Sequence, residues 1–154
     1  MVASESGSDR IEKQVRLSAS RSRVWRALTD AHQFGQWFGV EFNGAIATGA
    51  SLGGRITLKG YEHLRFEMLV EVVQAESRFS FRWHPFAIDP AVDYSTEPMT
   101  LVEFTLEDVA DGILLTVVES GFDKIPASRR IKAFEMNSQG WATQMRNIEH
   151  YLAA

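Results

Sequence analysis

The chain has 154 residues, 45% of them hydrophobic and 23% charged, with a net charge of −4 and no cysteine. That length suits one domain with a sufficient core of its own, and no apolar run approaches a membrane span. The lack of cysteine excludes disulfides, thiolate metal sites and cysteine nucleophiles and fits a reducing cytoplasm, while an acidic balance with no basic cluster argues against nucleic acid as a main partner.

Met1 to Asp9 is rich in Ser and Gly and lacks apolar periodicity. Residues 1–9 are therefore expected to be a disordered tail, with no visible signal peptide, and residues 10–154 one domain. Arg10 to Leu17 alternates, with Ile11, Val15 and Leu17 on one side, which reads as a strand with one buried face. Ser18 or Ser20 is placed to cap a helix running to about Thr29, and Asp30 to cap a second short helix over Ala31 to Phe38. Gly39 to Gly54 holds five glycines and reads mostly as loop, with a short strand near Val40 to Phe42. Alternating stretches follow over Leu52–Lys59, Leu64–Val72, Phe79–Trp83 and Val102–Glu107, then a nearly all-apolar Ile113–Ser120. The short turns between most of them predict antiparallel pairing. His84 to Met99 contains Pro85, Pro90 and Pro98, which rule out a continuous central strand and mark a loop that lines a cavity or fills space.

From Pro126 to Leu152 the pattern is one long amphipathic helix. Ile131, Phe134, Trp141, Met145, Ile148 and Leu152 share a face. Such a stripe needs a large apolar surface, and only a curled antiparallel sheet is available to supply it. The expected fold is therefore α+β of the helix-grip type, with two short helices after the first strand. Gly140 is expected to let the helix approach a strand closely, or to bend it slightly.

Familiar catalytic patterns are missing. His32, His63, His84 and His150 show no spacing that brings two onto one helix face, so no metal site is expected. Neither a phosphate-cradling nor a dinucleotide-binding glycine pattern occurs, nor a Gly-x-Ser-x-Gly elbow. Glu119 shares a strand face with Ile113, Leu115 and Val117. If that face is concave, the carboxyl sits among apolar groups and its pKa rises. Arg82 and His84 share a face of their own strand and could meet it. Alternation does not say which face is inward, and an outward charge or an ion pair at a sheet edge is the favoured expectation. Trp25, Trp37, Trp83 and Trp141 suit core packing better than a ligand cage. Trp37 and Phe38 are the exceptions, expected at the mouth of a cavity.

Val24-Trp25-Arg26-Ala27-Leu28-Thr29-Asp30 with Trp37-Phe38 resembles the first helix pair of the heat-shock-protein-90-ATPase-activator-like family, within the START and Bet v 1-like superfamily. Phe79-Ser80-Phe81-Arg82-Trp83, Val102 to Glu107, Leu115 to Phe122 and Gly140-Trp141 continue the resemblance in order. It implies a helix-grip fold and a site for a hydrophobic ligand between helix and sheet. Founding eukaryotic members stimulate a chaperone ATPase with the help of a separate N-terminal domain, and the superfamily includes some cyclases, hydrolases and oxygenase components.

The leading expectation is thus a protein that binds a hydrophobic or aromatic small molecule between sheet and C-terminal helix. Cavity candidates are Phe34, Trp37, Phe38, Phe42, Met68 and Phe81. Trp83, Ile131 and Phe134 join them, with Arg82, His84 and Glu119 as polar anchors. The alternative is an interaction module that docks on a chaperone or other protein. An enzyme of the same fold comes third, because nothing in the sequence requires catalysis or a cofactor.

Overall fold

The structure, a computed structural model, describes residues 9–153. The tail expected over residues 1–9 lies, but for Asp9, outside the described residues. Among the described residues seven strands form one sheet: β1 (Arg10–Leu17), β2 (Val40–Phe42), β3 (Ser51–Ile56), β4 (Arg65–Gln74), β5 (Arg78–Trp83), β6 (Thr100–Val109) and β7 (Gly112–Ser120). Their order is β1-β7-β6-β5-β4-β3-β2, every neighbour antiparallel. Helices α1 (Arg21–Thr29) and α2 (Ala31–Phe38) carry the chain from the β1 edge to the β2 edge. A short 3-10 turn (Phe122–Lys124) leads into α3 (Ala127–Ala153).

The local signals explain these bounds. The Ser20 hydroxyl accepts the Arg23 N–H, and the Asp30 carboxylate accepts the Gln33 N–H, so two caps fall within ten residues. Gly39 ends α2 in the left-handed region at φ +98°, where glycine carries no Cβ penalty. Strand β3 stops at Ile56, three residues short of the expected Lys59, because the chain turns through Leu58 to Tyr61 with Gly60 at φ +93°.

One face of the sheet is buried throughout. Phe66, Met68 and Val70 of β4, Phe79 and Phe81 of β5, Val102 and Phe104 of β6, and Leu115 and Val117 of β7 all lie in the core. Across it, α3 presents Trp141, Met145, Ile148 and Leu152. Ile131 departs from that expected stripe and is 72% exposed. It sits about a quarter turn away from the Trp141–Met145–Leu152 line at 3.6 residues per turn, and that flank faces out. Nothing lies within 4 Å of where a Cβ on Gly140 would be, so close approach to a strand is not its role.

Under Trp141 the space between sheet and helix is filled by aromatic rings. Trp141 touches Phe104 edge to face with centroids 5.7 Å apart. It also meets Phe38 at 5.9 Å and Trp83 at 5.7 Å. Open space appears elsewhere, beside the proline-containing loop.

Candidate functional site

The centre of the fold is a carboxyl group that pairs with no cation among the described residues. Glu119 is fully buried. Its place follows from register: in β7 it stands opposite Val102 of β6 and Ile11 of β1, on the inward face. Four neutral side chains donate to it. Thr100 Oγ1 (2.6 Å) and Trp83 Nε1 (2.7 Å) donate to Oε2. Trp141 Nε1 (2.8 Å) donates to Oε1. Asn137 Nδ2 spans both oxygens at 3.0 and 3.2 Å. Burial pushes the Glu119 carboxyl above its ordinary value, and the four donors pull against that shift. An indole N–H can only donate, so Trp83 and Trp141 need the acceptor as much as the carboxylate needs them.

The other side of Trp83 is open. A cleft of about 530 Å³ lies between the β3–β4 turn, the first residues of β4, the end of β5 and the loop after it. Phe38, Phe66 and Trp83 form an aromatic cluster on one side, with Phe38–Phe66 centroids at 5.3 Å and Phe66–Trp83 at 5.5 Å. Phe86, Ile88 and Val92 of the loop stand on the other. His63, His84, Tyr94 and Ser95 supply polar groups.

Internal contacts and one clamp shape this loop. The Ala91 N–H donates to Asp89 Oδ1 and the Ser95 N–H to Asp93 Oδ1, each at 3.0 Å, closing two side-chain-capped turns. The clamp is Arg129, in the first turn of α3. Its guanidinium donates to Glu97 Oε1 through Nη2 (2.6 Å) and Nε (2.9 Å). Nη1 donates to the carbonyls of Pro85 (2.7 Å) and Phe86 (3.3 Å). The same group lies 4.8 Å from the Tyr94 ring centroid, within cation–π range. Both ends of the loop and its middle are thereby tied to one side chain. Phe86 is held at φ +52°, a left-handed conformation that a bulky residue rarely adopts unless its surroundings impose it.

The twelve sequence candidates divide. Phe38, Trp83 and His84 line the cleft. Phe34, Met68 and Phe81 are buried in the aromatic core. Trp37, expected at the mouth, is buried as well, and its Nε1 donates to the Ala27 carbonyl (2.8 Å), fastening α2 to α1. Phe42 packs on Phe34 and Phe66. Phe134 packs on Phe122 (5.3 Å) rather than on a void, and Ile131 faces out. Arg82 pairs with Glu71, and His84 Nε2 donates to the Glu97 carbonyl (3.1 Å), so neither meets Glu119. Outward placement of Glu119 is overturned by its complete burial.

Sequence reasoning missed Thr100, Asn137 and Arg129. Asn137 stands one turn before Trp141 on the same helix face, a signal that was available. Thr100 lies two residues from Val102, the register partner of Glu119, which only the pairing reveals. Phe66 was legible as an inward residue two positions before Met68. Among the described residues no group of three His, Asp or Glu side chains is placed to hold a metal ion, and no helix is long and apolar enough to cross a membrane.

Comparisons agree with this architecture. The sequence profile described as "Activator of Hsp90 ATPase homolog 1-like protein" matches residues 18–153. No curated protein sequence matches the chain. Among solved structures, DynU16, from the dynemicin biosynthetic locus, is 26% identical with a TM-score of 0.73 over 95% of this chain. The chain spans about half of that protein, 48% of its length. MLL2253 from Mesorhizobium loti is 24% identical, with a TM-score of 0.74, over 94% of this chain and 96% of its own. CalU16 from Micromonospora echinospora is 19% identical, with a TM-score of 0.63, over 93% of this chain and 75% of its own. These likenesses share the helix-grip fold.

Proposed function

The chain belongs to the Activator of Hsp90 ATPase homolog 1-like family, and on that premise we propose that it binds a hydrophobic, aromatic small molecule in the cleft beside Trp83. The supporting observation is the cleft itself: about 530 Å³ with Phe38, Phe66 and Trp83 on one side and Phe86, Ile88 and Val92 on the other. Ligand sites are typically concave and largely apolar, with a few polar groups that fix orientation. His84 and Tyr94 fill that last role. A ligand ring would lie against Trp83, whose orientation is fixed from behind by Glu119. The relation to DynU16, a protein of a biosynthetic locus, is in keeping with a small organic ligand. Glu119 lies behind Trp83, so in this reading it is an anchor for the aromatic wall and not an acid or base acting on the ligand.

Titration with anilinonaphthalene sulfonate tests the proposal. Binding in the cleft predicts quenching of tryptophan emission by energy transfer to the probe, and Phe86→Ala should weaken it about tenfold, the loss of one apolar contact surface, with a modest fall in melting temperature because Phe86 also packs on the core. Probe binding indifferent to Phe86→Ala would remove the cleft as the site.

A further inference from the structure

β4 is longer than the strand beside it. The last register pair between β4 and β5 on this side is Leu69 with Arg82, and β5 ends at Trp83. From Met68 back to Arg65, β4 keeps a partner only in β3. The gap begins where the chain leaves the sheet after Trp83, so that His84, which would stand opposite Glu67 if the register continued, makes no backbone bond to it.

Main-chain direction alternates along a strand. The Val70 N–H donates to the Ala50 carbonyl (2.8 Å), and the Leu64 carbonyl accepts the Ile56 N–H (3.4 Å). The even-numbered residues of this stretch therefore turn their N–H and C=O toward β3. Arg65 and Glu67 turn theirs the opposite way, into the cleft. Their side chains are exposed on the outer face, yet both residues line the cleft, as their main chain would. No loop residue bonds to either main chain among the described residues. Two donor–acceptor pairs thus face the cleft, roughly 7 Å apart at 3.3 to 3.4 Å per residue. Between them Phe66 points inward toward Trp83.

A single planar ring would leave most of these groups without partners. Two amide pairs at that repeat match an extended polypeptide. We infer that the cleft takes a short extended peptide as an added antiparallel strand on Arg65–Glu67, with an aromatic side chain lowered onto Phe66 and Trp83. This inference rests on the cleft being the binding site and narrows the ligand to a peptidyl compound. Main-chain bonds at Arg65 and Glu67 supply affinity, and the pocket between them selects the central side chain. The flanking side chains lie on the outer face, beside those of Arg65 and Glu67. Cross-strand charge pairing there favours a basic residue opposite Glu67 and an acidic one opposite Arg65. In antiparallel register the sequence that satisfies all three positions is Lys-Phe-Glu.

The test uses N-acetyl-Lys-Phe-Glu-amide and its analogue N-methylated at the Lys and Glu nitrogens, titrated into the isotope-labelled full chain and followed by NMR. The inference expects the Arg65 and Glu67 amide resonances to shift and to gain protection from solvent exchange. It expects N-methylation to weaken binding about tenfold or more, since two main-chain hydrogen bonds are lost. Equal affinity for the methylated peptide, or binding that leaves both amides unshifted, overturns it. Binding of anilinonaphthalene sulfonate without binding of the peptide overturns the peptide inference alone. Failure of both probes overturns the cleft as a binding site.

Discussion

Trp83 belongs to two regions with opposite physics. Its N–H edge enters a sealed pocket where every polar atom of Glu119 is bonded, and its ring faces a cleft open to solvent. The sealed side gives little net affinity for anything, because nothing reaches it. Its effect is orientation: buried hydrogen-bonded groups tolerate few alternative geometries. The open side has apolar surface still to bury and main-chain groups still to bond. A rigid back thus supports a receptive front, and substitutions on the two sides should fail differently.

The largest effect belongs to the sealed side. Glu119→Leu leaves the donors of Trp83, Trp141, Thr100 and Asn137 without their acceptor, and about 4 kcal/mol of stability should be lost, read by urea denaturation. A loss below 1 kcal/mol would mean that the ring of donors finds other partners and that the pocket is not sealed. The same carboxyl gives a pH signature. Its folded pKa lies above the unfolded value near 4.5, so between the two the folded state holds more protons. Stability from this group is therefore fully present below the unfolded pKa and falls as pH rises through the folded one. Glu119→Gln should remove that slope, and an unchanged slope would assign it elsewhere.

Arg129→Ala comes next. It leaves Glu97, largely buried, without its cation, and frees the Pro85 and Phe86 carbonyls. About 2 kcal/mol should be lost, with faster hydrogen exchange confined to residues 85–97. Exchange that accelerated around Glu119 as well would join the two regions into one. Trp83→Phe should cost about 1 kcal/mol through the lost indole bond while keeping a ring at the cleft. Smallest for the fold is Ile88→Ser, expected to change stability by under about 0.5 kcal/mol while weakening an apolar probe. A larger loss of stability would show that the loop is part of the core.

The sequence carried the fold further than the site. Periodicity placed β1, α1, α2 and α3 within a residue or two, because caps at Ser20 and Asp30 and the Trp141–Met145–Leu152 stripe are local signals. The site depends on pairing across the chain. Glu119 reads as an outward charge until register sets it beside Val102 and brings Thr100 diagonal to it. The cleft lies at the end of β5, away from Trp141, under which Phe104, Phe38 and Trp83 fill the space. Ile131 misled because a residue at the margin of a stripe is buried or exposed according to how far the neighbouring layer extends. The three prolines marked a loop correctly, but nothing local in them announces Arg129 more than thirty residues later.

That single guanidinium has a consequence for chain entropy. By fastening Pro85 and Phe86 at one end and Glu97 at the other, it closes the stretch from Ile88 to Ser95 into a loop whose ends are already fixed. Lengthening a closed flexible loop is cheap, about 0.6 kcal/mol for a doubling. Insertions between those residues should therefore enlarge or reshape the cleft while the sheet, the helix and the buried carboxyl stay as they are, making this segment the place where one scaffold can be fitted to ligands of different size.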